Sequence, residues 1–256
     1  MIGKVEKYLL NRIREYNAIH ISLIDPEKVT PQSASKIARE VESCKTAAIM
    51  VGGSTLTSTS HLDDVVAAIK KTVKIPVILF PNNITGICKY ADAIWFMSLL
   101  NSSDPYFITG AQVLGAPIIK KFGLEAIPLG YIIVGENSTA SVVGKACPIP
   151  YTKPELAVAH ALAAQYFGMH FVYLEAGSGA KRPPSNDMIK MVKESIYIPL
   201  IVGGGMRTGE QVKETVDAGA DIIVTGTIIE EGEGVDKIRA LVDCLKTDRR
   251  ARDDRF

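Results

Sequence analysis

The sequence predicts an α/β fold, a single (β/α)8 barrel of the TIM type, and three observations predict it. Eight short β-branched runs recur along the chain, helical patterns alternate with them, and 256 residues is the usual length for one such barrel. The runs fall at 18–24, 47–52, 75–80, 92–97, 127–134, 170–175, 198–203 and 221–225. Unbroken apolar stretches such as Ile75-Pro76-Val77-Ile78-Leu79-Phe80 suit parallel strands covered on both faces. Pro76 and Pro199 stand at strand starts, where a missing N–H costs little.

Taken in order, the first twenty residues read as an amphipathic helix carrying Lys4, Glu6, Lys7, Arg12, Arg14 and Glu15, a profile that no secretion signal has. Thr30-Pro31 and Lys153-Pro154 open helices with proline in the first turn, and Thr208 precedes the acidic Glu210. Gly168 and Gly219 stand where helices should stop before strands. The segment between the third and fourth strands, 81–91, is too short and too rich in Pro, Asn and Gly for a crossover helix. A loop or single turn is expected there, so the third helix should be degenerate or missing and the helical ring should have a gap. Nothing reads as a linker, so residues 1–256 form one domain; the charged tail 246–256 reads as solvated or frayed.

Hydrophobic residues make up 47% and charged residues 22%, with a net charge of +1, so no global field favours nucleic acid or anionic lipid. Cys44, Cys88, Cys147 and Cys244 form no Cys-x-x-Cys pair and suit a reduced, cytoplasmic protein. No apolar run reaches the ~20 residues of a membrane span. His20, His61, His160 and His170 form no ligand or triad pattern, Asp63-Asp64 reads as a solvated helix face, and no Gly-x-Gly-x-x-Gly follows the first strand.

Residues just after each strand meet at one mouth of a barrel. The sixth run ends Tyr173-Leu174-Glu175-Ala176-Gly177-Ser178-Gly179, the seventh Gly203-Gly204-Gly205-Met206-Arg207-Thr208-Gly209, and the eighth Thr225-Gly226-Thr227. Glycines in three successive loops let backbone N–H groups approach a phosphate closely, although glycine also makes tight turns for their own sake. Glu175 is the carboxylate within this cluster, placed to take a proton from a substrate hydroxyl or to accept bonds from loop amides. Across the mouth, the first run ends Leu23-Ile24-Asp25-Pro26 and the second Val51-Gly52-Gly53-Ser54-Thr55. Asp25 and Ser54 are a candidate Mg2+ pair, a sparse donor set of the kind Mg2+ completes with substrate oxygens and water; Asp-Pro also begins turns.

Taken together and in this order, these five motifs resemble the geranylgeranylglyceryl phosphate synthase family of archaeal ether-lipid synthesis and its bacterial heptaprenyl relatives. The resemblance runs from about Ile19 to Glu231, and the strand-six motif is its most specific part. It implies a barrel with a degenerate third helix, and a Mg2+-dependent prenyltransferase joining sn-glycerol 1-phosphate to geranylgeranyl diphosphate. It implies that Asp25 and Ser54 hold the metal. It also implies that Tyr173, Leu174, Glu175, Ala176, Gly177, Ser178 and Gly179, with Gly204, Gly205, Gly226 and Thr227, bind glycerol phosphate, Glu175 serving as base. The prenyl tail needs an apolar groove, for which Trp95, Phe96 and Met97 with Ile84 and Ile87 are candidates beside the missing helix, and Trp95 is a candidate for setting chain length. A homo-oligomer, dimer or hexamer, and transient membrane contact by the prenyl product are further implications. Two other readings stay open on the sequence: a flavin-mononucleotide-dependent oxidoreductase, favoured by the seventh-strand glycine loop, and a non-catalytic barrel that binds a phosphorylated metabolite.

Overall fold

In the computed structural model, which describes residues 2–55, 58–226 and 234–245, parallel strands follow one another around a closed barrel in chain order. They are β1 (Ile19–Ile24), β2 (Ala48–Val51), β3 (Val77–Leu79), β4 (Ala93–Leu99), β5 (Glu125–Ile133), β6 (Phe171–Glu175), β7 (Leu200–Gly203) and β8 (Ile222–Thr225). The ring closes where Ile21 of β1 pairs with Val224 of β8. Outside it run α2 (Pro31–Ser43), α3 (Thr59–Lys70), α4 (Ala111–Phe122), α6 (Pro154–Tyr166), α7 (Asn186–Ser195), α8 (Gly209–Ala218) and α9 (Gly234–Asp243). Two further helices are α1 (Lys4–Tyr16), which precedes the barrel, and α5 (Thr139–Val143), a short helix after β5. The charged tail lies outside the described residues.

Local chemistry explains the boundaries. Thr30 caps α2 reciprocally with Ser33, Pro31 supplying the first helical residue, and Thr208 caps α8 in the same way with Gln211. At the start of β3 the ladder begins at Val77, later than the apolar run suggests. The amides of Lys74 and Ile75 are held by the Glu42 carboxylate (2.7 and 3.1 Å) and Pro76 has none to give. β4 runs on past Met97 to Leu99, because Ser98 and Leu99 still pair with β5.

Alternation along the strands divides the apolar residues into two layers. Ile21, Met50, Ile78, Trp95, Leu129, Phe171 and Ile201 fill the barrel, while Ile49, Leu79, Val172, Leu174 and Val202 face the helices. The lower end is sealed by α1, which buries Val5, Leu9 and Ile13 against the interior cluster, each worth roughly 1.5–3 kcal/mol. Glu125 at the start of β5 fixes that plug by accepting from the first amides of the helix, Val5 and Glu6, both at 2.8 Å. With the floor closed, access is from the C-terminal ends of the strands.

Between β3 and β4 the only regular element is a 3-10 turn, Ile84–Gly86, capped by the Asn83 side chain. The ring of helices is therefore open at this point, as the composition of the segment requires. Two charged anchors tie helices to strands nearby and on the far side. Lys70 of α3 pairs with Asp92 (2.7 Å), which also accepts from Val77 N (2.8 Å). Lys193 of α7 pairs with the buried Asp221 (2.6 Å), which accepts from Leu200 N (2.7 Å).

Candidate active site

The mouth leads into a cavity of about 210 Å3, partly open to solvent, and its walls come from both sides of the barrel. Asp25, Gly53 and Ser54 line one end, and Tyr173, Glu175, Ser178, Gly179, Gly204, Gly205 and Gly226 the other. A lateral extension follows the gap in the helical ring.

Glu175 closes β6 at an inward position and is only 6% exposed. Oε1 accepts from Gly177 N at 2.5 Å. Burial pushes its carboxyl above the ordinary 4.5, against the lowering effect of its neighbours Tyr173 and Gly177. A group held this way takes up a proton more readily than a surface glutamate. Beneath it, the rings of Phe80, Tyr131 and Tyr173 meet with centroids 5.3 to 5.7 Å apart. Burial, then the Glu175 charge, holds both tyrosine hydroxyls well above their usual range, so they are neutral donors. The buried Tyr173 hydroxyl has no hydrogen bond of good geometry to another described residue, although it feels the Glu175 charge.

The loops after β6 and β7 touch because one position has no side chain. Gly204 has φ +82°, and a Cβ there would stand 2.7 Å from Glu175 Oε1 and from the backbone N and O of Gly177. The amides of Gly204 and Gly205 hold no hydrogen bond to another described residue. Arg207 and Lys237 add positive charge to the lining. Together these groups make a cup of amides with cationic sides.

At the opposite end, Asp25 follows β1. Its Oδ1 accepts from Glu27 N (3.1 Å), capping a 3-10 turn, and its Oδ2 lies 4.0 Å from Lys28 Nζ. Gly53 packs flush on this carboxylate, leaving no room for a Cβ. Ser54 is fixed from β3, since Asn82 Nδ2 donates to its carbonyl at 3.0 Å. The donors are all oxygen, and among the described residues no three His, Cys, Asp or Glu side chains gather as a metal cage. One carboxylate and one hydroxyl fit a hard cation that keeps most of its water, as Mg2+ does, rather than a zinc-type site.

Several residues singled out in the sequence lie away from the cavity surface. Leu174 alternates with Tyr173 and Glu175 and so points outward among the helices. Ala176 is buried at 3% exposure, and Gly177 spends its amide on Glu175, so that amide is not offered to a ligand. Thr227 lies outside the described residues. Trp95, Phe96 and Met97 do not share a face. Trp95, buried inside the barrel against Phe171 (5.2 Å), and Met97, which points inward with it, do line the cavity, as the sequence suggested. Phe96 points outward to Ile87 and Ile119, where Ile84 and Gly115 complete the walls of the lateral extension. Arg207 stood within the seventh-strand motif without being singled out; Lys237 of α9 had no signal beyond ordinary helix pattern.

Fold and site together define a (β/α)8 barrel whose mouth joins a glycine-lined cup to an apolar side gallery. The chain belongs to the PcrB family, whose model matches residues 11–245. It is 57% identical to a geranylgeranylglyceryl phosphate synthase of Thermofilum pendens over 92% of each chain. It is 55% identical to one of Pyrococcus furiosus over 96% of this chain and 97% of the relative. Among solved structures, the (S)-3-O-geranylgeranylglyceryl phosphate synthase of Thermoplasma acidophilum in complex with sn-glycerol-1-phosphate superposes with a TM-score of 0.90 at 40% identity, covering 96% of this chain and 99% of that one. The enzyme of Thermoplasma volcanium gives 0.89 at 45%, covering 93% and 97%. A thiamine phosphate pyrophosphorylase of Pyrococcus furiosus, TM-score 0.59 at 13% identity, shares the fold alone. No described helix is long and apolar enough to cross a membrane.

Proposed function

We propose that this protein is a prenyltransferase that alkylates the 3-hydroxyl of sn-glycerol 1-phosphate with geranylgeranyl diphosphate. The observation that carries the reading is the single cavity in which the buried Glu175 stands between the Gly204–Gly205 cup and the apolar gallery beside the missing helix. The relatives' names, and the glycerol phosphate bound by the Thermoplasma acidophilum enzyme, support it.

The cup, with Arg207 and Lys237 on its sides, binds the acceptor's phosphate and so places the free hydroxyl beside Glu175. Glu175 takes the hydroxyl proton as the oxygen attacks C1 of the prenyl chain. The C1–O bond to diphosphate breaks with its electron pair staying on the leaving diphosphate. The Gly177 amide occupies Oε1, which leaves Oε2 as the proton acceptor. Asp25 and Ser54 would hold Mg2+ at the other end. When bound, that ion supplies positive charge to the departing diphosphate. The gallery between Ile84, Ile87, Phe96, Gly115 and Ile119 takes the isoprenoid tail and keeps water from the reacting carbon.

The test is product analysis with purified protein, Mg2+, each enantiomer of glycerol phosphate and prenyl diphosphates of ten to thirty-five carbons. The twenty-carbon ether of sn-glycerol 1-phosphate is the expected product. Absence of ether with every donor would refute the reading.

A further inference from the structure

The two halves of the barrel repeat one another. Residues from Pro31 to Leu79 lie on those from Pro154 to Val202 at one constant separation and without a gap. Pro31 falls on Pro154, each the first residue of its helix, the buried Ala34 and Ala38 fall on the buried Ala157 and Ala161, and Ile75-Pro76 falls on Ile198-Pro199. The tertiary bonds repeat at the same spacing. Glu42 accepts from Lys74 N as Gln165 accepts from Tyr197 N. Lys70, Asp92 and Val77 N form the same anchor as Lys193, Asp221 and Leu200 N, with a different length of chain between β and anchor only in the segment that lost its helix. The matched long-range hydrogen bonds at matched positions carry the correspondence further than the side-chain identities do.

Under this correspondence the loop after β2 is the mate of the loop after β6, and the loop after β3 the mate of the loop after β7. Ser54 stands where Gly177 stands, and Asn82 where Gly205 stands. In the cup described above, the two loops are joined by direct backbone packing of Gly204 on Gly177. In the other half the same two loops are joined by a side chain, Asn82 Nδ2 donating to Ser54 O at 3.0 Å. Only an NH2 can donate to a carbonyl, so this bond fixes the amide's orientation and leaves Oδ1 as an acceptor. That oxygen is buried and has no partner among the described residues, on a residue that lines the cavity beside Asp25 and Ser54. An orphaned buried acceptor is costly enough that it calls for a ligand-borne donor.

We infer that Asn82 is a positioning residue of the donor end of the cavity, the end that the internal repeat pairs with the glycerol phosphate cup, because it holds the Ser54 loop beside Asp25. The inference rests on the proposed transferase reading. Asn82 holds the Ser54 loop against Asp25, and its Oδ1 would be free to accept from a donor that the ligand brings, such as the water of a hard cation held by Asp25 and Ser54. Removing such an outer hydrogen-bonding partner weakens a cation site by about 10- to 100-fold.

The experiment compares the parent protein with Asn82→Ala and Asn82→Ser. Kinetics are measured with each substrate varied in turn, and calorimetry of the full chain is run with inorganic diphosphate plus Mg2+ and, separately, with sn-glycerol 1-phosphate. Asn82→Ala should raise the KM for geranylgeranyl diphosphate and the Kd for Mg2+-diphosphate by about tenfold or more. Glycerol phosphate binding should stay within about twofold, which also reports an intact fold, and Asn82→Ser, which keeps a donor, should recover part of the loss. Unchanged diphosphate affinity, or equal weakening of both ligands, would overturn the assignment. If the parent makes the ether and Asn82→Ala matches it in every measurement, only this inference falls. If the parent makes no ether, the transferase reading falls instead.

Discussion

Replacing Glu175 by glutamine keeps the shape of the side chain and an acceptor for the Gly177 amide, and removes the capacity to take a proton. General-base catalysis contributes typically 100- to 10,000-fold, or about 3–5 kcal/mol of barrier, so kcat should fall by that much while glycerol phosphate still binds. The same change should stabilise the protein at neutral pH. Because burial raises the carboxyl above 4.5 in the folded state, folding strains the charged form. That penalty is absent below the ordinary carboxylate value, grows as pH rises through the folded value, and is complete above it. Glutamine carries no such penalty, and in a chain of this size each kcal/mol relieved raises Tm by about 2–4 °C. Rapid-quench product assays and thermal melts at pH 4 and pH 8, parent against Glu175→Gln, read both effects. A kcat within tenfold of the parent, or a difference in Tm that does not widen from pH 4 to pH 8, would refute the base assignment and the burial argument respectively.

Three other outcomes follow from the geometry. Gly204→Ala puts a methyl group 2.7 Å from Glu175 Oε1 and the Gly177 backbone at φ +82°, and should cost roughly 1–3 kcal/mol in urea unfolding while raising the KM for glycerol phosphate more than that for the donor. Gly115→Val fills the gallery where an added Cβ would stand 3.1 Å from Ile87, so chromatography of the products should show a shift toward shorter prenyl chains; an unchanged distribution would place the tail elsewhere. His20, buried between Thr46 and Thr225, is pushed down to about 4 from 6.5 by burial. Its folded value is the lower one, so its contribution is complete above pH 6.5 and is lost as pH falls toward 4, about 3 kcal/mol in all. Denaturant titrations at pH 7 and pH 4 should show that loss, and His20→Gln should show less of it.

The barrel was legible because its determinants are local. Apolar strand runs, Pro31 and Pro154 opening helices, and the Pro-, Asn- and Gly-rich segment at 81–91 each act within a few residues, and the strands and the open crossover lie where these signals place them. The mouth was legible as a set of loops because strand ends in a barrel converge. What one strand does with alternate residues was harder to read. A motif written as seven consecutive letters, Tyr173 to Gly179, is split by the pleat, which sends Tyr173 and Glu175 inward and Leu174 outward. The same pleat separates Phe96 from Trp95 and Met97. The use of the Gly177 amide by Glu175 depends on a loop conformation that composition does not specify. The floor was illegible for another reason: Glu125 meets Val5 and Glu6 only after more than a hundred intervening residues have folded. The internal repeat hides because few identities survive in it, and it shows only when hydrogen-bond partners are compared.

The open crossover between β3 and β4 leaves Ile84, Ile87 and Phe96 facing a space that a helix fills elsewhere in the ring. On the proposed function, a hydrocarbon tail lying there would replace protein with substrate as building material. On that view the empty enzyme is a vessel with an unfinished stave, stiffened when loaded and slackened when the product departs. Turnover would then be limited by how readily the greasy product leaves its berth rather than by the bond-making itself.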